Sequence, residues 1–142
     1  MRWTSWLMML FTAVAALGGC KGKIKRLSEA STLLAHQNEI WERLKSRLQT
    51  DTPDWNLFDA MNGAVGETRL RVQKQFGGDR QKQILQTLDA FVEAYRSEAL
   101  PLLDLSSPKG RPKTGISVEE IRAVVEKLDE LYKQVESLDL SQ

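Results

Sequence analysis

Four stretches of the chain repeat apolar residues at helical spacing, and they dictate its architecture. Over residues 27–49, Leu27, Leu34, Trp41 and Leu48 recur every seven positions, with Ala30, Leu33, Ile40 and Leu44 on the same side. Gln37 falls inside this stripe, where it is either hydrogen-bonded or at the rim. Thr50-Asp51-Thr52-Pro53 stops the helix. Thr52 is placed to cap a second helix, with Pro53 at its first position and Asp54 in its first turn. Trp55, Phe58, Met61, Val65, Val72 and Phe76 form the second stripe, and Gly77-Gly78 supplies a left-handed exit.

The third stripe is Ile84, Leu85, Leu88, Phe91, Val92, Tyr95 and Ala99, after a candidate cap at Asp79 and before a break at Pro101. Leu102, Leu103 and Leu105 continue as a packed tail. Residues 106–115 read as a loop. Ser117 and Glu120 form a capping box, with Ile116 and Ile121 as its hydrophobic staple. The fourth stripe then runs Ile121, Val124, Val125, Leu128, Leu131, Tyr132, Val135 and Leu138. No alternating strand pattern competes. The expected fold is all-α: a four-helix bundle, up-down-up-down, over residues 27–142.

Three positions sit awkwardly in the second helix. Gly63 and Gly66 each cost roughly 1 kcal/mol relative to Ala in a helix interior. They align with Leu70 on a narrow face that a neighbouring backbone or a ligand can approach, unless they mark a tolerated break. Arg69 projects into the apolar stripe, with a packed stem and a head reaching solvent or a carboxylate on another helix; anion binding is its functional alternative.

Ahead of the bundle, Arg2 precedes an apolar run over residues 6–17 that is too short for a comfortable membrane span of roughly 20 residues. It ends in Leu17-Gly18-Gly19-Cys20, holding the sole cysteine of the chain. These residues resemble the lipobox of bacterial lipoproteins. The resemblance covers residues 1–20 only. It implies that residues 1–19 are a cleaved signal peptide, that Cys20 carries a diacylglyceryl group, and that the protein is anchored to a membrane by lipid. By the family's sorting rule, Lys21 in place of aspartate sends the protein to the outer membrane, with the inner membrane as the alternative. Lys21, Lys23, Lys25 and Arg26 form a basic tether over residues 20–26. Near an anionic headgroup surface each cation contributes about 1 kcal/mol; otherwise they are a solvated spacer. The same cations support a competing topology, in which the apolar run is a reversed anchor with the domain inside the cell.

Composition narrows the function classes. Of 20 basic and 19 acidic side chains, removal of residues 1–19 takes only Arg2, leaving the two balanced. A nucleic-acid binder needs a basic surplus to displace counterions, so none is expected as partner. One cysteine and one histidine, His36, exclude an internal disulfide and a Cys/His zinc site. His36 lies ~120° from the centre of its stripe and reads as exposed, which leaves a serine triad without a base. Neither a phosphate-binding glycine loop after a strand nor a Glu-x-x-His motif occurs. No enzyme activity, cofactor or metal is expected.

Residues 69–82 carry a local charge of plus four, while the fourth helix and its tail carry seven acids against three cations. The two segments either face each other or offer an acidic face to a basic partner. The expected function is a lipid-anchored interaction, scaffold or assembly module that docks another envelope protein. Small helical lipoproteins that pilot secretin subunits are similar in size and layout only. The alternative is a small-ligand or lipid-binding bundle using Gly63, Gly66, Arg69 and Leu70.

Overall fold

The computed structural model describes residues 28–106 and 110–141. Cys20, Lys21, Lys23, Lys25 and Arg26, with the expected signal peptide over residues 1–19 and Leu27, lie outside them. Four helices make up the fold: α1 (Glu29–Leu48), α2 (Asn56–Gln75), α3 (Gly78–Ala94) and α4 (Val118–Glu136). The protein is an all-α four-helix bundle. α1 packs on α2, α2 on α3, α3 on α4, and α4 returns to α1.

Contacts between helix ends define two poles. At one, the Ser28 hydroxyl donates to the Leu140 carbonyl, and the Ala30 amide donates to Gln75 Oε1 at 3.1 Å. There too, Arg80 Nη2 donates to the Ser141 carbonyl at 2.8 Å. At the other pole, the end of α1 meets the start of α4 where Arg122 Nε donates to the Leu48 carbonyl. The start of α2 meets the end of α3 where the Tyr95 hydroxyl donates to the Phe58 carbonyl at 2.6 Å.

The helix starts show how local chemistry chose the boundaries. The capping box of α4 is formed in both directions: Ser117 Oγ accepts from the Glu120 amide, and Glu120 Oε2 from the Ser117 amide. α1 is capped by Ser28, whose Oγ accepts from the Ser31 amide at 3.0 Å. α2 starts three residues later than Thr52-Pro53 suggests. Asp54 spends its carboxylate on the Asn56 amide in a local turn, and Trp55 holds the cap position without a side-chain bond. For α3, Gly77 rather than Asp79 precedes the first helical residue. Gly78 has φ 59°, the left-handed conformation expected at this junction.

Pro101 shapes the end of the third helix. Because proline donates no amide hydrogen and crowds the carbonyl four residues earlier, the α geometry is not continued through it. Tyr95–Ala99 widen into a π turn, and Leu100–Leu102 tighten into a 3₁₀ turn. A short antiparallel pair follows, β1 (Leu103–Asp104) with β2 (Arg111–Pro112). β2 falls within the loop expected over residues 106–115. Leu103 is buried in the core, and the Lys113 amide donates to the Leu102 carbonyl at 2.9 Å, so the base of the loop is tied. Gly110 has φ 51°, and a Cβ there would stand 3.1 Å from Trp55 Cβ, so only glycine fits this contact with the start of α2.

The core joins all four stripes around one aromatic cluster. Trp41 packs edge-on against Phe91, with ring centroids 5.2 Å apart, and lies 5.1 Å from Tyr132. Tyr95 stacks with Phe91 and Phe58. Edge-on and offset ring pairs each add about 0.5–1.5 kcal/mol beyond their buried area. Thr68 is also fully buried, its hydroxyl donating to the Ala64 carbonyl.

Candidate functional site

The residues singled out on α2 do not converge on one place. Arg69 was expected in the middle of the stripe, but that position belongs to Thr68. The buried series is Met61, Ala64, Val65, Thr68 and Val72, which rotates Arg69 to its edge. Its guanidinium reaches across to α3 and pairs bidentately with Asp89, Nε to Oδ1 at 2.6 Å and Nη2 to Oδ2 at 3.2 Å. The hydrogen bond from Arg69 to Asp89 holds the guanidinium pKa above its ordinary value, against the smaller opposing effect of desolvation. The carboxylate on another helix is therefore what the Arg69 head finds.

This pair lies in an open cleft of about 520 Å³ lined by Arg69, Asp89, Val92, Glu93, Arg96 and Ser97. The π turn contributes Arg96 and Ser97. Arg96 Nε donates to Asn62 Oδ1 on α2 at 2.9 Å, so its side chain lies across that helix. Its terminal Nη2 passes 3.9 Å from the place a Cβ would occupy at Gly66. The cleft thus offers guanidinium and hydroxyl groups, two carboxylates and an apolar wall at Val92. It is equipped to hold a polar ligand or a partner's side chains, and no histidine lines it.

Gly63 is exposed, and a Cβ built on it meets nothing within 4 Å. Neither glycine serves close backbone packing. Both Gly63→Ala and Gly66→Ala should raise stability, by about 0.5–1 kcal/mol each, because alanine loses less backbone entropy on folding. Urea melts of the two variants check this, and a drop in stability at Gly66 would show that Arg96 requires the space. Leu70 turns away from the cleft. It is 58% exposed and lies with Leu33, Glu67, Arg71 and Lys74 in a groove between α1 and α2.

A polar network in the core was only partly foreseen. Gln37 is fully buried rather than at the rim, and its Nε2 donates to the Tyr132 hydroxyl at 3.1 Å. Trp41 Nε1 donates to Asp129 Oδ1 at 2.8 Å, and Lys45 bridges Asp129 at 3.0 Å and Glu42 at 2.6 Å. The signal was the co-occurrence of Gln37 with Tyr132, and of Trp41 with Asp129, on or beside two stripes. Pairing them needed the helix order.

Burial disfavours the charged form of Asp129, but hydrogen bonds from Trp41 and Lys45 outweigh it and hold its pKa below the ordinary value. Burial likewise works against Lys45, and its bonds to Glu42 and Asp129 outweigh it and raise its pKa. The depressed carboxyl contributes stability that is present above its unfolded value of 3.8 and is lost as pH falls through the lower folded value. The raised amine contributes stability that is present below 10.5 and is lost as pH rises through the higher folded value. Melting temperature against pH should therefore decline on both sides of this window. Asp129→Asn should flatten the acid limb and only weaken the alkaline one, since Lys45 keeps Glu42 as its other partner.

The two charged segments mostly find partners elsewhere. Arg71 pairs with Glu29 at 2.7 Å, Arg69 with Asp89, and Lys127 on α4 with Glu98 at 3.0 Å. Arg80 bridges them, through backbone carbonyls of Asp139 and Ser141 rather than through acids of α4. His36 is exposed, as its helical position requires. Among the described residues, no three His, Cys, Asp or Glu side chains are grouped to hold a metal ion. Compared with models of known families, with curated proteins and with solved structures, the chain finds no match.

Proposed function

We propose that this chain is a lipid-anchored, non-enzymatic helical module of the bacterial cell envelope, acting in protein interaction, scaffolding or assembly. The observation that carries this reading is the sole cysteine, Cys20, standing directly behind Leu17-Gly18-Gly19 at the end of an apolar run. The tether then reaches the first helix within a few residues, as α1 starts at Glu29. Among the described residues no helix is long and apolar enough to cross a membrane, a finding compatible with a lipid anchor. The proposed location is the periplasmic face of the outer membrane, with the inner membrane as the alternative. Cys20→Ala should release the protein from the membrane fraction, and full retention would sink the anchor and revive a reversed-anchor topology. Mild crosslinking in intact membranes, followed by capture, should return one dominant envelope protein.

A second reading, a small-ligand or lipid-binding bundle, is favoured by one observation: the cleft beside Arg69 and Arg96. A leucine at Gly66 would displace Arg96 from its place across α2. Under this reading Gly66→Leu abolishes ligand-induced thermal stabilisation in a screen of anionic and lipid-derived compounds, while helix content stays intact.

A further inference from the structure

Two charged groups of opposite sign in the α2–α3 cleft stand unpaired. Arg69 and Asp89 satisfy each other through their bidentate pair. Arg96 spends only its Nε, on Asn62 of α2, and among the described residues its Nη1 and Nη2 bond to nothing else. Glu93 has no hydrogen-bond or ion-pair partner among them. Residues three apart on an α-helix are neighbours, and an acid and a base so placed ordinarily pair. Glu93 and Arg96 do not, because Arg96 belongs to the π turn Tyr95–Ala99, whose wider winding turns it away from Glu93. Its guanidinium lies across α2 instead. Asn62 holds it there, and Gly66 presents no side chain beneath Nη2.

The cleft therefore keeps a cation towards α2 and an anion on α3, with the two held apart. Ser97 lines it too, four residues after Glu93. Its hydroxyl donates to the Ala94 carbonyl at 3.3 Å, which leaves the oxygen free to accept. Val92 adds an apolar wall. We propose that this cleft binds a small zwitterion, with Arg96 on its oxyanion, Glu93 and Ser97 on its primary ammonium, and Val92 against the short chain between them. The inference rests on the small-ligand reading and names its ligand class. A simple anion gains from Arg96 but meets the Glu93 carboxylate, and a simple cation meets the reverse. Only a molecule carrying both charges uses both groups. Amino carboxylates and the phosphoethanolamine headgroup share this chemistry.

The test uses the full chain, purified from its host in a mild nonionic detergent, and reads apparent Kd from ligand-dependent thermal unfolding. The probes are glycine, β-alanine, γ-aminobutyrate, ε-aminocaproate and glycerophosphoethanolamine, with butyrate and butylamine as singly charged controls. One zwitterion should bind about fivefold more tightly than either control, the upper end for an exposed ion pair. Glu93→Gln and Arg96→Gln should each remove that advantage. Asn62→Ala should weaken binding as well, although both charges remain, because Arg96 is then free to pair with Glu93. All three positions face the surface, and circular dichroism checks that helix content is unchanged. Tighter binding of glycerophosphoethanolamine than of any amino acid makes the headgroup the source of the ligand, and the reverse makes it a free amino acid. Equal binding of butyrate and γ-aminobutyrate with no gain along the series, or zwitterion binding unmoved by Glu93→Gln, overturns the inference. If another compound then stabilises the protein in a manner lost on Gly66→Leu, the cleft remains a ligand site of different chemistry. If no compound does, the small-ligand reading falls with the inference.

Discussion

Replacing Trp41 by alanine should cost about 3–5 kcal/mol, a large share of the roughly 5–15 kcal/mol that holds a domain folded. Trp41 is fully buried and touches rings from the third and fourth helices, with centroids 5.2 Å from Phe91, 6.3 Å from Tyr95 and 5.1 Å from Tyr132. Its removal opens a cavity where three helices meet, and no small shift of one helix can fill it. The indole N–H adds a second loss, because Asp129 Oδ1 accepts from it at 2.8 Å. Asp129 keeps Lys45 as partner and a quarter of its side-chain surface in solvent, so the cavity dominates. Trp41→Phe separates the two: it retains most of the packing, and should cost about 1–2 kcal/mol for the lost bond and reduced volume. Urea unfolding followed by circular dichroism checks both. Similar losses for the two variants would mean that the hydrogen bond, not the cavity, carries the energy.

Trp41 also shows what could be read from sequence. Each member of its cluster was visible as an apolar position on its own helix, because burial of one face is written in 3.6-residue spacing. The capping box of α4 was equally visible, since Ser117 and Glu120 bond within a single turn. Features that depend on two elements were not. The Gly110 contact with Trp55, the β1–β2 pair and the burial of Thr68 follow from how segments meet, and nothing local announces them. The start of α2 failed for a different reason: Thr52-Pro53 is a plausible helix start, and Asp54 prevailed with a turn of its own. At the cleft, the awkwardness of Arg69 was legible while its partner Asp89 was not, being a residue of another helix. The flagged glycines pointed to a close approach, and what passes near Gly66 is the end of a flexible arginine.

The other core prediction has the opposite sign. Gln37→Met should raise stability by about 1–2 kcal/mol. Gln37 Nε2 donates to the Tyr132 hydroxyl, which in turn donates to Asn38 Oδ1 at 2.5 Å, so one half of the amide is well used. Among the described residues no donor reaches the other half, Oε1, although the residue is fully buried. A buried carbonyl without a partner costs about 1–3 kcal/mol, while the bond made by Nε2 returns only about 1. Methionine has nearly the same length, fills the space with flexible apolar atoms, and leaves Tyr132 bonded to Asn38. Gln37→Glu should act the other way, because its carboxylate must either stay charged among aromatic rings or take up a proton at neutral pH. A double variant, Gln37→Met with Tyr132→Phe, measures the coupling: if the amide matters only through its bond to the hydroxyl, the Gln37→Met effect shifts by that bond's energy once the hydroxyl is gone. Should Gln37→Met instead destabilise, the amide is a clamp that fixes the register of α1 against α4, and its unpaired oxygen is the cost of that specificity.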